Sequence, residues 1–428
     1  MLELKNISGA SIKKINDPEE YINSNKNELF HLLKTFVSIP TQNPPGTNYR
    51  AMVECFQQQL RLYGFQCRVI RVPDKELRNQ LGTTLYPRPI FLGRWNTKSS
   101  KTLHFNGHYD VVAPSVGKWQ IPPYSARIKG DYLYGRGSSD MKGAIAAFMF
   151  AMKAVKECGI KPQTNIEISC VPDEEIGGEL GAGYLCKSAF IQPDFVVIGE
   201  GGRNNELGYG HRGAVWVEVT VKGKAAHSMA PEKGINAFEQ MSLLVHYIKK
   251  TTDKLLNQKA RIYITEGGIV IKPTLTMGGR FHGVDNAIIN TIPERATFTL
   301  DRRTTPSESV DRVEEEIKGI ILSAAEMVKA DISISTIHKA EPTILNTEND
   351  LFRTLSECIT RIKKVTVKSS IGRGFNDLSH FASHFKIQGG CCYGVYGENM
   401  HGLDERVSLD DLVATSKVYA SLMCNLQP

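Results

Sequence analysis

Apolar positions along the chain change their period several times, and each change marks an element. DPEEYINSNKNELFHLLKTFVSI, about 18–38, spaces its apolar residues helically behind an acidic opening and predicts a first helix, which TQNPPG (41–46) ends. A second helix at about 48–63 leads into the strand CRVIRV (67–72). PIFLGRW and KTLHFNGHYDVV then read as neighbouring strands, and after GRGSSDMKG the run GAIAAFMFAMKAVKE (143–157) is helical. The strand NIEISCVPDEE, a helix near 179–188 and the apolar strand DFVVIGE (194–200) follow. Strands that alternate with helices and end in polar residues indicate an α/β sheet, in which ligands bind beyond the strand ends.

At HRGAVWVEVTVKGKAAHS (211–228) the period becomes two, as in a partly exposed antiparallel sheet. A helix at about 234–251, strands near 261–265, 269–278 and 294–301, and an amphipathic helix at about 307–328 complete a self-sufficient α+β unit. It reads as an insertion, after which the chain returns to the first unit at about 345. No internal repeat or low-complexity tract is visible.

A chain of 428 residues is too long for one simple core and suits two domains. Its +7 formal charge is spread out, with no basic stripe of the kind a phosphate-tracking surface needs, so no nucleic-acid partner is expected. No segment approaches 18 uninterrupted apolar residues and the N-terminus has no signal-peptide pattern, so neither membrane insertion nor export is expected. The 9 cysteines are odd in number and lack C-x-x-C spacing, which fits reduced thiols in a cytoplasmic protein. The Cys391-Cys392 pair reads as packing.

Chemistry gathers at the strand ends. His108 in GHYDVV, Asp140 in GRGSSDMKG, Glu175 in PDEE and Glu200 in VVIGEGG are possible metal ligands, and His401 in GENMHGLDE is a fifth. Imidazoles with hard carboxylate oxygens suit zinc, with cobalt or manganese as alternatives, and three carboxylates can offset two divalent cations. No H-E-x-x-H helix or thiolate set is present, which excludes a thermolysin-like site or a zinc finger. Asp110 lies two residues beyond His108 on a strand and can face the same side, where it would orient the imidazole. Adjacent carboxylates such as Glu174 and Glu175 repel each other, and they make sense if one binds metal while its neighbour moves protons.

Taken together, GHYDVV, YGRGSSDMKG, PDEEIGG, the strand ending at Glu200 and KGKAAHSMAPEKGINA resemble one family. It is the di-zinc amidohydrolase and peptidase family of aminoacylase 1, acetylornithine deacetylase, succinyl-diaminopimelate desuccinylase and carboxypeptidase G. The resemblance spans roughly 28 to 424. It implies a mostly parallel-sheet metallohydrolase domain (1–212 and 339–428) with an inserted α+β lid or dimerisation domain (213–338). It implies that Asp140 bridges two metal ions, that His108 and Glu200 complete one site, and that Glu175 and His401 complete the other. Asp110 then orients His108, and Glu174 is the general base. His227 in KAAHS matches a histidine that stabilises the tetrahedral intermediate, often from the partner subunit of a homodimer. Asn290 and Arg303 match lid positions that contact substrate. In GRGFNDLSHF (372–381), Ser379 stands where many relatives place a carboxylate-gripping arginine, and Arg373 lies upstream as a substitute.

The implied reaction is hydrolysis of a C–N amide in a small N-acyl amine or N-acyl amino acid. Glu174 takes the proton of a water activated by two zinc ions and returns it to the departing amine. The alternatives are a dipeptidase or carboxypeptidase on short peptides and a deformylase or deacylase of a non-amino-acid amine. A non-catalytic binding protein is the reading from a different class, and the survival of all five ligands and the base opposes it.

Overall fold

A computed structural model describes residues 15–201, 205–258, 261–264, 268–285 and 288–428. Apolar runs from the front and the back of the chain pair into a 9-stranded sheet. Its strands lie in the order Gln66–Arg71, Pro89–Trp95, Asn165–Val171, Thr102–His108, Phe195–Ile198, Gly389–Cys392, Glu206–His211 and Thr343–Ile344, and Lys368–Gly372 also pairs with Glu206–His211. Asn165–Val171, Thr102–His108, Phe195–Ile198 and Gly389–Cys392 run parallel. Antiparallel strands extend the sheet on either side.

Strand alternation divides the core in two. Phe195 and Val197 join a cluster under the helices Lys26–Val37, Tyr49–Leu62, Gly143–Glu157 and Leu409–Asn425. Val196 and Ile198 point to the opposite face, under Asp74–Leu81, Ala182–Lys187 and Leu378–His384. Both faces are covered, which is why the strands read as continuous apolar runs. Gly143–Glu157 is buried along nearly its whole length because it packs on the sheet and on Leu409–Asn425.

A second, 4-stranded antiparallel sheet has the order Thr274–His282, Arg295–Arg303, Ala214–Lys222, Asp331–Ala340. Val215, Val217, Val219 and Val221 face the helices Ala237–Leu256 and Val310–Val328 in a separate core, while Trp216, Glu218 and Thr220 lie on the open face. The two sheets join where His211 pairs with Thr343 in one and Ala214 with Ala340 in the other. Gly213 sits between them with no room for a side chain: a Cβ would lie 2.5 Å from both the Ala340 carbonyl oxygen and Thr304 Oγ1.

Three sequence expectations change. The first helix is two, Pro18–Ser24 and Lys26–Val37. Asn25 interrupts it, with its amide hydrogen-bonded back to the Tyr21 carbonyl. The strand expected at 269–278 is broken by Pro273, which has no N–H to donate, into Val270–Ile271 and Thr274–His282. The segment near 261–265 forms only a two-stranded ribbon with Val270–Ile271. The fourth strand of the second sheet is instead Asp331–Ala340, whose alternation in DISISTIHKA was the unread signal. Among the described residues no helix is long and apolar enough to cross a membrane.

Candidate active site

The parallel strands end together, and the loops beyond those ends carry the acidic and imidazole side chains. His108 closes Thr102–His108, and Glu200 lies just past Phe195–Ile198. Glu174 and Glu175 occupy a single tight turn, Glu174–Ile176, after Asn165–Val171. Asp140 lies in the Ser138–Lys142 turn that feeds Gly143–Glu157, and Gly137 at φ 82° allows the chain to enter it. His401 comes from the loop before Arg406–Ser408.

These side chains converge into two groups that share Asp140: His108 with Asp140 and Glu200, and His401 with Asp140 and Glu175. Within each group the ligand atoms lie within 4.8 Å of one another. Asp140 Oδ1 is 3.0 Å from His108 Nε2, and its Oδ2 is 3.2 Å from His401 Nε2. Glu200 Oε1 stands 3.2 Å from His108 Nε2, and Glu175 Oε2 stands 3.1 Å from His401 Nε2. Glu174 Oε2 is 3.9 Å from His108 Nε2 and belongs to neither group. This is the division of labour that adjacent glutamates permit.

The donor set calls for cations. Burial, then the neighbouring carboxylates, push the Glu174 carboxyl well above the usual carboxylate range. The same causes raise Glu200 and lift Glu175 to about 7. Burial also acts on Asp140, but its hydrogen bonds with His108 and His401 prevail and hold it low. The ion-pair partners of these carboxylates among the described residues are the two histidines, with no lysine or arginine beside them. Two divalent ions fit this surplus of buried oxygen donors, and the N/O set without thiolate suits zinc, cobalt or manganese. The His108 ring is already oriented for the task, because Nδ1 lies 3.0 Å from the Asp110 carbonyl oxygen, leaving Nε2 for metal.

Asp110 acts more through its main chain on His108 than the sequence suggested, since its carboxylate is 3.5 Å from Nδ1. That carboxylate instead accepts the Glu174 and Glu175 N–H groups at 3.2 and 3.3 Å. Glu405 is a supporting residue that sequence reasoning missed. It is fully buried, receives Arg136 at 2.6 Å, and accepts the N–H groups of Gly137, Ser139 and Asp140, fixing the loop that presents Asp140. Its only sequence cue was its place four residues after His401.

The remaining candidates fall in two places, and none of them is a member of either ligand group. His227 is exposed, with Nδ1 accepting the Met229 N–H at 3.0 Å, and it bridges to Thr291. Asn290 lies alongside, its carbonyl accepting the Ser228 N–H at 2.9 Å. Arg303 is ion-paired with Asp301 at 2.8 Å and stacks on Trp216 and Phe375. Arg373 is exposed near it, and its carbonyl accepts Arg212 Nε at 2.7 Å. Ser379 turns its hydroxyl to the Asn376 carbonyl at 3.1 Å.

Residues 104–425 match the model of peptidase family M20/M25/M40. The chain is 28% identical over 406 residues to the succinyl-diaminopimelate desuccinylase of Pelagibacter ubique, covering 92% of this chain and 97% of that protein. It is 31% identical over 237 residues to the acetylornithine deacetylase of Aliivibrio salmonicida, covering 55% of this chain and 60% of the relative. In fold it is similar to human carnosine dipeptidase 1, with TM-score 0.78 and 18% identity over 95% of this chain and 97% of that one. Two metal-ligand groups that share one aspartate, with a free carboxylate beside them, are the working parts of a metal-dependent hydrolase, and the chain belongs to peptidase family M20/M25/M40.

Proposed function

We propose that the protein hydrolyses the amide bond of a small N-acyl amino acid or N-acyl amine, with Glu174 as general base and acid. The observation that supports this most directly is the position of Glu174, 3.9 Å from His108 Nε2 yet outside both ligand groups. His108, Asp140 and Glu200 would hold one divalent ion and Glu175, Asp140 and His401 the other, and the ions supply Lewis-acid activation of water and carbonyl. Glu174 takes the proton of the attacking water on a carboxylate oxygen and delivers it to the departing nitrogen. Burial raises the proton affinity of its carboxyl, which favours taking up a proton. Asp110 holds the Glu174 and Glu175 amides and the His108 ring in register.

Residues 213–338 act as the lid in this reading, and the catalytic domain is 1–212 with 339–428. His227 and Asn290 share an exposed edge of the lid with Met229, Phe238 and Ile289, which are apolar and unprotected. A homodimer through this edge would cover those side chains and carry His227 to the partner's carbonyl oxygen as a hydrogen-bond donor. Mixing His227→Ala with Glu174→Gln subunits tests this, since restored activity requires a site built from two chains. The 9 cysteines form no disulfide among the described residues, which supports a reducing, cytoplasmic location that cell fractionation would check.

Arg303 and Arg373 support a substrate carboxylate, although Arg303 already holds Asp301 and would have to share or exchange it. The deciding experiment offers the zinc-loaded protein N-formyl, N-acetyl and N-succinyl amines with and without an α-carboxylate, alongside dipeptides, and measures free amine. Turnover of α-carboxylate compounds supports the amino-acid reading. Turnover only of carboxylate-free amides moves the protein to non-amino-acid amines. No hydrolysis by protein with two bound metals would sink the proposed substrate class.

A further inference from the structure

Asp173 immediately precedes the general base and presents a puzzle of its own. It adopts φ 68°, its carboxylate is 2% exposed, and it touches neither metal-ligand group. A carboxylate buried this deeply is costly unless fully partnered. Its partners come from distant chain. Arg88 Nε donates to Oδ2 at 2.6 Å, and Asn43 Nδ2 and Tyr49 OH donate to Oδ1 at 3.0 and 3.2 Å.

Each partner is itself held. Arg88 also donates from Nη1 to the Tyr86 carbonyl at 2.7 Å and from Nη2 to the Pro45 carbonyl at 3.0 Å, which fixes the guanidinium with Nε toward Asp173. Gly46 at φ 99° makes room for that guanidinium, since a Cβ there would come within 2.3 Å of Nη1. The Asn43 amide nitrogen donates a second time, to Asp110 Oδ2 at 2.9 Å. Asp110 in turn accepts the amides of Glu174 and Glu175. The catalytic turn is therefore gripped from behind by the side chain of Asp173 and from beneath through its own amides, and Asn43 joins the two grips.

We propose that Arg88 and Asn43 are positioning residues that fix the carboxylate of Glu174 relative to the metal groups. The inference rests on the hydrolase reading above. Neither residue reaches a metal-ligand atom, so each acts through the turn. A base displaced by a fraction of an ångström loses rate without losing substrate binding.

The test compares Arg88→Lys, which keeps the charge and loses the fork, with Asn43→Ala, which removes no charge. For each, kcat, KM and metal content are measured together with hydrogen exchange of the peptide containing Glu174 and Glu175. The expected result is a loss of kcat of roughly 10- to 100-fold in each variant, with KM within about two-fold, both metals retained and faster exchange in that peptide. The double variant should lose less than the product of the single losses, because both act through one turn. Wild-type kcat in both single variants, or a loss carried by KM or by metal content, overturns the inference. If Arg88→Lys does not fold, Asn43→Ala decides alone. If the wild-type protein hydrolyses no amide, the hydrolase reading falls by itself, and unchanged exchange in the variants is then what rejects the positioning role.

Discussion

Glu174 and Asp140 show how different two buried carboxylates in one site can be. Glu174 is outside both ligand groups, so Glu174→Gln should lower kcat by roughly 10²–10⁴-fold while the protein still binds two metals. Asp140 is in both groups, so Asp140→Asn should lose both metals and activity together. Elemental analysis beside kcat separates the two cases, and metal loss in Glu174→Gln would contradict the assignment. At this scale the sequence was informative wherever a side chain acts by its chemical type. The candidate ligands His108, Asp140, Glu175, Glu200 and His401 could be named because imidazole and carboxylate in such numbers have few other uses. Glu405 and Asp173 escaped notice because a carboxylate that accepts main-chain N–H groups or a buried guanidinium looks in sequence like any surface acid.

Between elements, the decisive contact lies where the strand Asp331–Ala340 meets the Glu174–Ile176 turn. His338 pairs with Trp216 just past an irregularity in the pairing with Ala214–Lys222, and it packs its ring beside Trp216 and Phe375. A Cβ on Gly177 would lie 2.5 Å from His338 Nδ1, at a φ of 117°. Gly177→Ala should therefore cost on the order of 1–3 kcal/mol and shift the turn bearing Glu174, seen as a lower denaturation midpoint with lower kcat. A neutral effect on both would remove the claim that this junction is tight.

The same junction carries a pH dependence. Burial holds the His338 imidazolium down at about 4, and burial does the same to His211, also at about 4. Unfolded, each histidine titrates near ~6.5, so below that pH the unfolded chain takes up protons the folded one refuses. Each histidine's contribution is complete above pH ~6.5 and is lost as pH falls toward about 4, by up to ~3 kcal/mol. Urea midpoints of wild type and His338→Asn should differ in their slope between pH 7 and 5, the variant being flatter. Equal slopes would count against a neutral, buried His338. None of this was visible as a pattern in one strand, because the pocket is made by three segments that meet only in the folded chain.

Over the whole molecule, the core behind the antiparallel sheet shares no residue with the two clusters that flank the large sheet. None of the five candidate metal ligands lies within residues 213–338. Metal binding should thus stabilise one unit more than the other. At 100 times its dissociation constant each ion contributes about 2.7 kcal/mol, and chelation also restores repulsion among the buried carboxylates. Chelator should lower the Tm and raise hydrogen exchange around residues 102–108 and 165–175, with little change in 310–328. Uniform loss of protection in both units would show that they do not respond separately.

The residues alone carried the alternation of strands and helices, the change to a period of two at 211–228, and the chemical types of the candidate ligands. Those are properties of neighbouring residues, and hydrophobic periodicity and side-chain type carry them directly. The folded chain was needed to show that the Asp110 carboxylate accepts the Glu174 and Glu175 N–H groups, that His227 and Asn290 are in neither ligand group, and that Arg303 is ion-paired with Asp301. Each of these depends on which segments the sheet order brings within hydrogen-bonding distance, and separation along the chain does not encode that distance.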